Sequence, residues 1–249
     1  TIVSRLAKYF GSKVHVVIPD ESDDFLKHQV KSNIVFTNGK ILQGPEVADH
    51  AVGLLLALTR NIKLHIIKKK SKILRRPIEL FKKKLLIIGF GGIGNSICER
   101  LSGFGMKIDV MSEDLPILQS KVENFFQIKK LKNITKNYDV IISAAPLTKK
   151  NIKIFDKNFF KSMKKNSIFI NVSRGRLVDT KALLDKKIID KFWGVGLDVI
   201  DPEPLPFNHF LRKKHNIIIT DHTAGLSDYN RQRAYDLIIT NLIRFSRKE

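Results

Sequence analysis

The sequence predicts an α/β fold built on a doubly wound parallel sheet, and three observations carry that reading. A short apolar run at 85–88, Leu-Leu-Ile-Ile, turns through glycines straight into a helical pattern. Strand-like and helix-like periods then alternate towards the C-terminus, and polar residues suited to chemistry collect just after the strands. A run apolar at every position fits a strand covered on both faces, as parallel strands are. Gly89, Gly91 and Gly94 follow in G-x-G-x-x-G spacing, with Gly92 and Ile93 between them. That spacing serves a dinucleotide: a tight turn, backbone approach to a pyrophosphate, and close packing of helix on strand. The helix beginning near Ile93 aims its free N–H groups and positive dipole end at the phosphates.

The N-terminal residues 1–44 hold two strand-like runs, 14–18 and 33–37, on either side of an acidic turn at 19–24. Pro45 is a favoured first helical residue, with Glu46 and Asp49 in the opening turn, and predicts a long helix over 45–67. Its middle is apolar almost all round, which places it between two bodies. Residues 68–84 form a basic connector containing Pro77. Further strands are expected at 108–111, 140–143, 168–172, 193–198 and 217–220. The terminal segment 229–247 puts Ala234, Leu237, Ile238, Asn241, Leu242 and Phe245 on one helical face.

At 249 residues and 43% hydrophobic the chain is long enough for a substantial core. A formal charge of +21 would ordinarily suggest a polyanion partner. The basic residues are mostly lysines scattered over every segment, without the arginine-aromatic interleaving of a nucleic-acid face, so no nucleic acid is expected. The one cysteine, Cys98, excludes an internal disulfide and fits a reducing compartment; its place in a helix suggests packing rather than reactivity. The apolar run 51–58 is too short to span a bilayer, so a cytoplasmic protein with no membrane partner is expected. No metal is called for.

Ligands of doubly wound sheets bind outside the carboxyl ends of the strands. Strand 168–172 runs into Ser173 and Arg174, and an arginine there could clamp a carboxylate in a fork. Strand 193–198 leads to Glu203, held between Pro202 and Pro204. Strand 217–220 leads to His222. Together they make a proton-transfer set, because a carboxylate beside a histidine raises its pKa and orients it while an arginine polarises a substrate.

With these residues the sequence resembles the D-isomer-specific 2-hydroxyacid dehydrogenases, from about Val35 to the C-terminus. The resemblance is carried by Glu46-Val-Ala-Asp49, Gly89-Phe-Gly-Gly-Ile-Gly94, Phe104-Gly-Met106, Ala145-Pro-Leu-Thr148, Asn171-Val-Ser-Arg-Gly-Arg-Leu-Val-Asp179, Leu197-Asp-Val-Ile-Asp-Pro-Glu-Pro-Leu205 and Thr220-Asp-His-Thr-Ala-Gly225. It implies a Rossmann domain and hydride transfer between NAD(H) and a small 2-hydroxy or 2-keto acid of glycerate, hydroxypyruvate, glyoxylate or phosphoglycerate type. It further implies Arg174 as the substrate-polarising group, His222 as general acid/base, Glu203 as its partner, and Asp198 near the nicotinamide carboxamide. Ala145, Pro146, Val172, Ser173, Arg174, His222, Ala224 and Gly225 are implied as lining the coenzyme. Ser112 holds the usual ribose-contact position, and the acidic Glu113 and Asp114 beyond it favour NAD over NADP.

Two substitutions depart from the family pattern: Asp221 stands where Thr-Pro-His has proline, and Asp49 where Val-Ala-Glu has glutamate. Members build a substrate domain from a long N-terminal segment plus the last helix, and here only some 44 residues precede the long helix. The expected organisation is therefore a remnant of the substrate domain at 1–44, a coenzyme domain at 45–225 and a returning helix at 226–249. The second domain is incomplete on this reading, either a fragment at both ends or an unusually reduced member. The resemblance also implies a homodimer through the 45–67 helix. A different class, an idle dinucleotide-binding redox sensor on the same fold, would lack the intact Arg174, Glu203 and His222.

Overall fold

The computed structural model describes residues 14–17, 35–39, 42–67, 75–113 and 121–247. The chain divides into two compact units, Thr1–Gln43 with Ser227–Glu249, and Gly44–Leu226. Within the first, β1 (Val14–Val17) and β2 (Val35–Asn38) pair in parallel, Val14 opposite Val35. Ile18, the acidic turn at 19–24, Asn33, Ile34 and Asp114 lie outside the described residues.

The second unit opens with α1 (Gly44–Thr59) and α2 (Ile62–Ile66), where one helix over 45–67 was expected. The break has a local cause. Asn61 takes a left-handed φ of +58° and its side-chain amide donates to the Arg75 carbonyl at 2.9 Å. The Thr59 carbonyl is claimed by the Ile78 N–H at 2.9 Å, so the connector, not the next helical turn, satisfies the helix end.

There follow β3 (Lys84–Ile88), α3 (Gly92–Ser102), β4 (Lys107–Ser112), β5 (Asn124–Gln127), α4 (Leu131–Ile134), β6 (Val140–Ser143), α5 (Lys157–Ser162), β7 (Ile168–Asn171), α6 (Lys186–Ile189), β8 (Gly194–Leu197), α7 (Phe210–Lys213) and β9 (Ile217–Ile219). Strands β3 to β9 form one parallel sheet in the order β5-β4-β3-β6-β7-β8-β9. The order reverses between β3 and β6, so a crevice opens beyond their carboxyl ends. Edge strand β5 was not anticipated. It has four half-covered or exposed residues, with Phe125 packed on one face and Phe126 on the other, and carries no readable apolar run.

Each central strand serves two cores by alternation. Leu86 and Ile88 of β3 enter one core, with Phe155, Phe159, Phe160 and Phe169; Leu85 and Ile87 enter the other, with α1 and α3. Several of the phenylalanines pack edge to face, as Phe160 does on Phe169 at a centroid distance of 5.2 Å. Glycines in β8 let α1 lie close on the sheet: a Cβ at Gly194 would come 2.6 Å from the Leu58 side chain. Cys98 is fully buried in α3, and burial pushes its thiol up to about 11. The terminal α8 (Asn230–Arg247) belongs to the first unit, and its half-covered positions are the expected six together with Asn230 and Arg233. Among the described residues no helix is long and apolar enough to cross a membrane.

Candidate active site

Because β3 to β9 run parallel, their carboxyl ends share one edge of the sheet, and the candidate site residues lie at or just beyond one of them. Beyond β3, Gly89 has φ of +91°, and a Cβ there would come within 2.5 Å of the Ala145 backbone in the turn after β6. The two turns that bound the crevice therefore touch, and only glycine allows it. A Cβ at Gly94 would sit 2.1 Å from the Gly89 carbonyl oxygen, which makes this glycine a condition of helix–strand packing. At Gly91, by contrast, an added Cβ would meet no protein atom within 4 Å. No protein atom asks for glycine there, and the backbone is left open to a ligand. Gly92 and Ile93 form the first turn of α3, where N–H groups face outward for an anion. Gly89 N–H bonds the Met111 carbonyl at 2.7 Å, which sets Ser112 and exposed Glu113 beside the turn. Ala145 and Pro146 line its opposite side.

Strand β7 hands over to Val172, Ser173 and Arg174 through a buried polar network. Ser143 and Ser173 hydroxyls meet at 2.9 Å, Ser173 donates to Asn171 Oδ1 at 2.7 Å, and Asn171 Nδ2 donates to the Arg174 carbonyl at 3.0 Å. Arg174 is half-buried, with Nη1 donating to the Ser173 carbonyl at 2.8 Å. Next to it, a Cβ at Gly175 would strike the Ile200 carbonyl group at 2.4 Å, so the arginine loop rests against the loop leading to Glu203.

The strands β8 and β9 bring Glu203 and His222 together: His222 Nδ1 stands 2.6 Å from Glu203 Oε1. His222 has φ of +55°, a conformation that is costly for a residue with a Cβ. Its support comes from Asp198. The Asp198 carbonyl accepts from His222 N–H at 2.9 Å, and its carboxylate accepts from Thr223 N–H at 3.0 Å and Ala224 N–H at 3.1 Å. Thr220 Oγ1 donates to the same carboxylate at 2.6 Å, and His50 Nε2 stands 3.3 Å from it and 2.8 Å from Thr220 Oγ1. Burial alone would raise the Asp198 pKa, yet the bonds from His50, Thr220, Ala224 and Thr223 hold it down at about 2. Ala224 is buried and Gly225 half-buried at the end of this clamp.

Four members of these networks were missed in the sequence: His50, Ser143, Asn171 and Thr220. His50 carried a faint signal, a polar residue on the border of the apolar run of α1. The others are polar residues at strand ends, with no period to betray a partner on another strand.

Residues 52–224 match the family of the D-isomer specific 2-hydroxyacid dehydrogenase, NAD binding domain. The chain belongs to the D-isomer specific 2-hydroxyacid dehydrogenase family. A glyoxylate reductase of Pyrococcus furiosus is 33% identical over 241 residues, which are 90% of this chain and 69% of the relative. A D-isomer specific 2-hydroxyacid dehydrogenase family protein of Aeromonas salmonicida subsp. salmonicida has a crystal structure similar at a TM-score of 0.77 and 26% identity, covering 99% of this chain and 80% of that one. A D-isomer specific 2-hydroxyacid dehydrogenase from Xanthobacter autotrophicus, crystallised with NADPH and MES, shares the fold at a TM-score of 0.80 and 20% identity, over 98% of this chain and 78% of that one. As a 2-hydroxyacid dehydrogenase the protein is a nicotinamide-dependent oxidoreductase of small 2-hydroxy and 2-keto acids.

Proposed function

We propose that the protein reduces a short 2-keto acid of the glyoxylate or hydroxypyruvate type to the D-2-hydroxy acid, with NADH in preference to NADPH. The observation that carries the reading is the 2.6 Å contact of His222 Nδ1 with Glu203 Oε1, on the same sheet edge as the glycine turn and Arg174. The glyoxylate reductases among its relatives support the substrate class.

When bound, the coenzyme supplies the hydride. Gly91, Gly92, Ile93 and Gly94 would hold its phosphates, Gly89 the turn beneath them, and Ser112 with Glu113 the adenosine ribose. Ala145, Pro146, Val172, Ser173, Asp198, Ala224 and Gly225 would line the nicotinamide half. Arg174 forks onto the substrate carboxylate and polarises the neighbouring carbonyl. Protonated His222 gives its Nε2 proton to the carbonyl oxygen as hydride reaches the carbon, while Glu203 holds the ring by Nδ1 and balances its charge. In the oxidation direction the same imidazole takes the hydroxyl proton back. On this reading residues 45–225 are the coenzyme domain, and 1–44 with 226–249 belong to the substrate side.

The carboxylate of Glu113 would repel a 2′-phosphate and accept from a 2′-hydroxyl, which is why NADH is preferred. The test is to offer glyoxylate, hydroxypyruvate and phosphohydroxypyruvate with each coenzyme and follow coenzyme oxidation. Turnover with NADH and a short keto acid supports the reading; oxidation of neither coenzyme with any of them overturns it.

A further inference from the structure

Between the loops of Glu203 and His222 lies one guanidinium that the chemistry above does not use. Arg212 sits on the single turn of α7, which is anchored by fully buried Leu211 and by Leu211 N–H donating to His209 Nδ1 at 3.3 Å. From there Arg212 Nη2 donates to the Leu205 carbonyl at 3.1 Å and to Asp221 Oδ1 at 2.8 Å. Leu205 lies two residues past Glu203, and Asp221 immediately precedes His222.

We propose that Arg212 is a positioning residue for the Glu203–His222 pair, stapling the carboxylate loop to the histidine loop through Asp221. The proposal rests on reading that pair as the acid/base couple. Three observations favour a positional role over a stabilising one. Asp221 is 71% exposed, and an ion pair in water returns little stability. Arg212 Nε is buried with no hydrogen-bond partner among the described residues, which costs stability. And His222, at φ of +55°, is clamped on its C-terminal side by Asp198, while on the N-terminal side Asp221 N–H donates to no described group. Thr220 before it is held by its hydroxyl to Asp198, and at position 221 itself the ion pair to Arg212 is the side-chain restraint. A proline at 221 would fix the backbone covalently and lose no hydrogen bond, so it should make the staple unnecessary.

The test is a cycle of variants in the complete protein, read in two ways. One is turnover of glyoxylate with NADH. The other is the low-field proton resonance of the His222–Glu203 hydrogen bond, assigned by its loss in His222→Ala, which reports the geometry whether or not glyoxylate is turned over. Asp221→Ala and Arg212→Ala should each lower kcat about tenfold with KM changed by less than about twofold, and broaden the resonance away. Asp221→Pro should keep both, and Arg212→Ala added to Asp221→Pro should alter neither. An unchanged resonance in Asp221→Ala, a variant at an exposed position that disturbs no core, overturns the proposal. So does an Arg212→Ala penalty that is the same with proline at 221 as without it. Absence of turnover in the unmodified protein would count against the substrate reading alone, since the resonance still decides the staple.

Discussion

Asp198 and His50 meet at 3.3 Å across the join of α1 and β8, and the buried carboxylate so held carries the backbone of the loop that presents His222. The folded Asp198 pKa of about 2 lies below the ordinary 3.8, so its contribution to stability is complete above about 3.8 and is lost as pH falls towards 2. The size is roughly 2 kcal/mol. Urea unfolding measured across that acid window should show a shallower loss of stability in Asp198→Asn than in the parent. Equal slopes would mean the carboxylate is not held as described.

The second and third glycines of the G-x-G-x-x-G turn make opposite predictions from one substitution. Gly94→Ala puts a methyl 2.1 Å from the Gly89 carbonyl and should lower the melting temperature or prevent folding. Gly91→Ala meets no protein atom within 4 Å, so it should melt as the parent does and bind NADH at least about tenfold more weakly. Calorimetry that found NADH affinity intact in Gly91→Ala would remove the pyrophosphate from that backbone.

In the proposed mechanism the His222 imidazole would touch substrate, while Glu203 would act only through the imidazole it contacts. His222→Ala should therefore lower kcat by about a thousandfold, and Glu203→Gln by less, on the order of tenfold to a hundredfold. Steady-state kinetics with a saturating keto acid will order the two, and the reverse order would exchange their roles.

On α1 the half-covered Val52 and Leu56 pack at the margin of the α1–sheet core and, with half-covered Ala57, leave part of their apolar surface exposed. A homodimer through α1 would cover them. Leu56→Glu should then convert a dimer in light scattering to a monomer with coenzyme affinity retained; a monomeric parent at micromolar concentration would rule the dimer out.

The central sheet was legible because strands buried on both faces must be apolar throughout, and the glycine turn because backbone contacts at Gly89 and Gly94 admit no other residue. The contact of Glu203 with His222 was legible because each follows a strand end, and Arg174 follows a third strand on the same sheet edge. β5 was hidden by its half exposure, and the break after Thr59 by its cause, since Arg75 and Ile78 take up the helix end from a connector with no pattern of its own. His50 and Thr220 were hidden for a related reason: a hydrogen bond between distant residues leaves no periodicity in either segment.

The buried thiol of Cys98 gives the protein a built-in clock for its own opening. It is the sole cysteine of the chain, shut inside α3 directly behind the glycine turn, with a pKa of about 11. A thiol reagent at neutral pH can reach it only when α3 leaves the sheet, so the labelling rate reads the frequency of that event. A ligand seated on the first turn of α3 slows the clock, and the slowing measures binding without any turnover.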